Sequence, residues 1–169
     1  TILPAMYLPL MVMLCALVAR GVAFEFRAKA EKSKHIWARS FFAASLVATF
    51  CQGLILGTYI QISHQNIDLS LNGGLLWISP FAFLCGAGLC FGYALLGAGW
   101  LIAKTEHALR DKARGLAVNL YLSAFIILVA ITVVTPMVNP QIAGIWFSDA
   151  FVYLMPFPIV SAVALLVAF

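Results

Sequence analysis

Residues 80–103 read "PFAFLCGAGLCFGYALLGAGWLIA", 24 residues without one charged side chain. An α-helix needs about 20 such residues to cross the hydrocarbon core of a bilayer. Ser79 stands just before the run, where its hydroxyl can cap the first turn. Pro80 suits the first helical position, where a missing N–H is not needed. Lys104 ends the run. Nothing in the chain shows the ten-residue alternation of polar and apolar side chains that marks a barrel strand. Helices are therefore the spanning element, since lipid offers the backbone no hydrogen-bonding partner.

Four more stretches match this pattern, at roughly 2–19, 40–62, 116–136 and 150–169, with Asp149 as a cap for the last. The expected fold class is all-α: a polytopic integral membrane helical bundle with about five transmembrane helices, forming one domain over 1–169. Composition agrees. Hydrophobic residues make up 64% and charged residues 9%, against about 25% charged in an ordinary soluble domain.

The net charge of +4 could suggest a nucleic-acid partner, but position excludes it. All ten Lys and Arg fall in two short segments, 20–39 and 104–115. The connections 61–79 and 138–149 contain none. An odd–even alternation of this kind sets membrane topology and places the basic segments in the cytoplasm. Trp77 and Trp146 then fall at the outer interface, and Trp37 and Trp100 near the inner one, as aromatic belts do. Asn139-Pro140 can start a short helix in the outer interface. The apolar sequence starts at once and runs to Phe169, so the chain reads as an internal piece of a larger polytopic protein. Residues 2–19 lack the basic leader and the cleavage site of a signal peptide.

Few residues carry chemistry. Cys15, Cys51, Cys85 and Cys90 lie singly in apolar runs and read as small packed hydrophobes, not metal ligands. His35, His64 and His107 lie in connections, unpaired at any metal-ligand spacing. Met6, Met11, Met13, Met137 and Met155 are scattered. No ionisable residue stands mid-span, which argues against a proton or ion pathway within these helices and leaves no interior histidine for haem. Gly88, Gly92 and Gly99 share a face of the 80–103 helix, and Gly53 with Gly57 does the same in 40–62. Such glycines admit another backbone closely, or a cofactor against the flat face. Pro4, Pro9, Pro156 and Pro158 predict kinks in the first and fifth spans.

Two stretches stand out. In "RGVAFEFRAK" at 20–29, Glu25 can pair with Arg20 or Arg27, and Phe24 and Phe26 can enter the interface. "GYALLGAGWLIAKTE" at 92–106 passes Trp100 and ends in Lys104, Thr105 and Glu106. The two clusters lie on one side of the membrane, placed to pack against each other or against a partner subunit.

Both stretches closely resemble signature segments of subunit II of the cytochrome bd-type quinol oxidases, the cyanide-insensitive branch included. "TPMVNPQIAGIWFS" at 135–148 looks like that branch too, and the three motifs occur in order across the whole chain. The resemblance implies a bacterial inner-membrane enzyme that oxidises quinol and reduces oxygen to water. It places the haems and the quinol-oxidising loop in a partner, subunit I. It implies no catalytic redox centre and no metal on this chain, and allows a quinone bound in it. Arg20, Glu25, Arg27, Trp100, Lys104 and Glu106 would hold helix ends in register for the complex. The five spans would correspond to the third through seventh of the family's set; the helical hairpin that carries its proton-supplying acids precedes this stretch. Two other readings compete: a transporter or channel piece, and a diverged structural scaffold.

Overall fold

The helix that starts at Leu3 does not stop where the apolar run stops. In the computed structural model, which describes residues 3–30, 33–62, 77–106, 108–139 and 142–144, α1 continues from Leu3 to Lys29 and carries the basic stretch as regular helix. Helix α2 runs Lys34–Ile62, α3 Pro80–Lys104 and α4 Ala108–Val138. All four are long and apolar enough to cross a membrane, and no strand occurs among the described residues. The chain is a multi-pass helical membrane protein. The fifth expected span, and the expected kinks at Pro156 and Pro158, lie outside the described residues. Helix α1 passes through Pro4 and Pro9 without a break, and α4 through Pro136.

Each helix packs on the next in chain order: α1 on α2, α2 on α3, α3 on α4. The paired positions run in opposite directions along both partners, so neighbours are antiparallel. Phe24 meets Phe41 while Phe26 meets Trp37. Gly53 meets Gly86 while Gly57 meets Ala82. The two basic segments consequently lie at the same end of the row.

The α1–α2 contact uses a seam of small residues. From Met6 onward, Pro9, Ala16 and Ala23 are the buried positions of α1, each seven residues from the last. Seven residues are close to two helical turns, so they form one stripe. Around it, Leu8, Val18 and Phe24 are exposed, as lipid solvation permits.

The α2–α3 contact is tighter and rests on glycine. A Cβ on Gly53 would lie 2.5 Å from the Cα of Gly86, and one on Gly57 2.6 Å from the Cα of Ala82. Lipid tails are as apolar as leucine, so helices in a membrane associate through such close backbone approach. The expected trio on α3 behaves differently. Gly92 and Gly99 face open space, and Gly88 faces the side chains of Ile127 and Ile131 in α4. The glycine that receives α2 is Gly86, on another side of α3.

Candidate functional site

Arg20 lies where α1 leaves its apolar run, and its guanidinium sits 5.5 Å from the centre of the Phe41 ring in α2. A cation over an aromatic face gains about 0.5–1 kcal/mol at an exposed site. Glu25 pairs with neither arginine. Its carboxylate accepts from Lys29 Nζ at 3.4 Å, and both side chains are well exposed. The reason is helical spacing: positions four apart share a face, whereas Arg27, two residues on, points elsewhere. The pair is worth about 0.3–0.5 kcal/mol. Arg27 makes no ion pair among the described residues. Phe24 and Phe26 pack on α2: Phe26 stacks on Trp37 with ring centres 4.9 Å apart, and Phe24 tilts against Phe41 at 6.4 Å. An aromatic clasp thus joins the basic ends of α1 and α2.

Lys104 ends α3 with its ammonium 5.5 Å from the centre of the Trp100 ring, one turn earlier in the same helix. Thr105 is the C-cap; its N–H and its hydroxyl both donate to the Leu101 carbonyl. Glu106 follows, exposed. The two clusters therefore have separate surroundings: the first spans α1 and α2, while Lys104 rests on its own helix.

The opposite end of the row holds polar contacts that spacing did not reveal. Ser79 accepts from the Ala82 N–H at 3.1 Å, the expected cap, and its hydroxyl also donates to Gln61 Oε1 of α2 at 2.8 Å. Asn139, 4% exposed, donates from Nδ2 to the Ile60 carbonyl at 3.1 Å. Ile60 is in the last turn of α2, where carbonyls have no partner within the helix. Ser79 and Asn139 thereby tie the ends of α3 and α4 to the end of α2. A local signal existed for Ser79. None existed for Asn139, whose partner lies 79 residues away. It does begin a turn as expected, since the Ala143 N–H donates to its carbonyl.

Between α2, α3 and α4 lies an apolar cleft of about 610 Å³. Gly88 and Gly92 form its floor on α3, Leu56 and Ile60 one wall on α2, and Phe125 and Leu128 the other on α4. Tyr93 and Tyr121 also border it. Gly92, where nothing lies within 4 Å of an added Cβ, leaves room here that a larger residue would fill.

His35 stands in the first turn of α2 at the basic end, and Met11 and Met137 are exposed on helix surfaces. No group of three or more His, Cys, Asp or Glu is gathered among the described residues.

A sequence model of the family described as "Cytochrome bd terminal oxidase subunit II" matches residues 1–169. Two curated relatives agree. A "Probable cytochrome oxidase subunit 2" of Haemophilus influenzae is 34% identical over 115 residues, covering 64% of this chain and 30% of that protein. A "Cytochrome bd ubiquinol oxidase subunit 2" of Bacillus subtilis is 29% identical over 136 residues, covering 77% of this chain and 39% of that protein. The matches span less than two fifths of either relative's length. No solved structure matches the chain.

Proposed function

The chain belongs to the cytochrome bd terminal oxidase subunit II family, and from this we propose that it is the non-haem subunit of a quinol:oxygen oxidoreductase of the bacterial inner membrane. The single observation that carries this reading is the family match over all 169 residues. The haems, the quinol-oxidising site and the reduction of oxygen to water belong to the partner, subunit I. This chain's part is to present helices of fixed spacing against that partner and the lipid.

Arg20, Glu25, Arg27, Trp100, Lys104 and Glu106 act in this proposal as positioning residues at the cytoplasmic end. Support comes from the geometry of the first cluster: the ring over which Arg20 sits is the ring that Phe24 touches. Glu25 bonds Lys29 at this same helix end, and its proposed part is to help hold that end for the partner. Glu25→Ala is expected to lower the yield of assembled complex while leaving turnover per assembled haem nearly unchanged. Normal assembly with lost quinol oxidation would overturn the positioning role.

The test of the function itself is affinity purification of the full-length parent from native membranes, followed by a reduced-minus-oxidised visible spectrum. Haem bands in the eluate, together with a second co-purifying membrane protein, are the expected result. A haem-free eluate without a partner would leave family membership standing and overturn the oxidase role, in favour of a diverged scaffold.

A further inference from the structure

We draw no further inference here: the strongest candidate, the apolar cleft between α2, α3 and α4, is an open groove, and nothing in the structure shows what covers it.

Discussion

Asn139 shows how one side chain in an apolar chain does work that its neighbours cannot. Its amide reaches a carbonyl at the end of α2 that its own helix leaves without a partner. Hydrogen bonds between membrane helices average about 0.6 kcal/mol and reach about 1.7. Asn139→Ala is expected to cost about 1 kcal/mol, read as a lower melting temperature of the purified complex. Ser79 does two things at once, capping α3 and donating to Gln61. Loss of a cap alone costs about 1 kcal/mol, so Ser79→Ala should lower the melting temperature at least as much as Asn139→Ala. A melting temperature unchanged in both variants would show that the polar ties do not hold these helix ends. The cap was legible from Ser79-Pro80. The tie to Gln61 was not, because a hydroxyl's second partner depends on which helix lies alongside.

Among elements, the α2–α3 pair makes the sharpest demand on residue type. The Cβ that alanine would add at Gly53 meets three backbone atoms of α3, at Cys85 and Gly86, all within 3 Å. Backbone cannot rotate away as a side chain can, so the helices must separate. Overpacking of this kind costs about 1–3 kcal/mol, and leucine costs more. Gly53→Leu should sharply lower the amount of protein in the membrane, judged by immunoblot against a co-expressed standard. Gly92→Ala should leave it unchanged, because nothing lies within 4 Å of that Cβ. Equal loss in both would mean that α2 and α3 pack through a different face. Spacing alone marks Gly53-x-x-x-Gly57 and Gly88-x-x-x-Gly92 as equivalent. The fold separates them: the first receives a neighbouring backbone, and the second floors a cleft.

Across the whole molecule, the antiparallel row puts both basic segments at one end and Ile78, before α3, at the other. An impermeant thiol reagent applied to intact cells should label a cysteine placed at Ile78. It should not label one at Lys32 or Lys112 until the membrane is opened. Labelling of all three from outside would overturn the topology. The row also explains why so much apolar surface is exposed. Among the described residues, helix α4 touches α3 and the end of α2, and residues such as Leu122, Ile126 and Val129 on its other side are exposed to lipid or to other protein.

The amino-acid sequence by itself determined that the described chain is helical and crosses a membrane, because an uncharged run of bilayer length has no other way to satisfy its backbone. It also determined that the basic ends share a side, since charge alternates with each crossing. The family was legible for the same reason: motifs near helix ends are contiguous in the chain. Only the tertiary structure decided that Gly86 receives α2, that Asn139 closes onto Ile60, and that a cleft opens over Gly88 and Gly92. Each depends on how one helix is rotated against another. In lipid every face of an apolar helix is equally well solvated, so no hydrophobic pattern along the chain records that rotation.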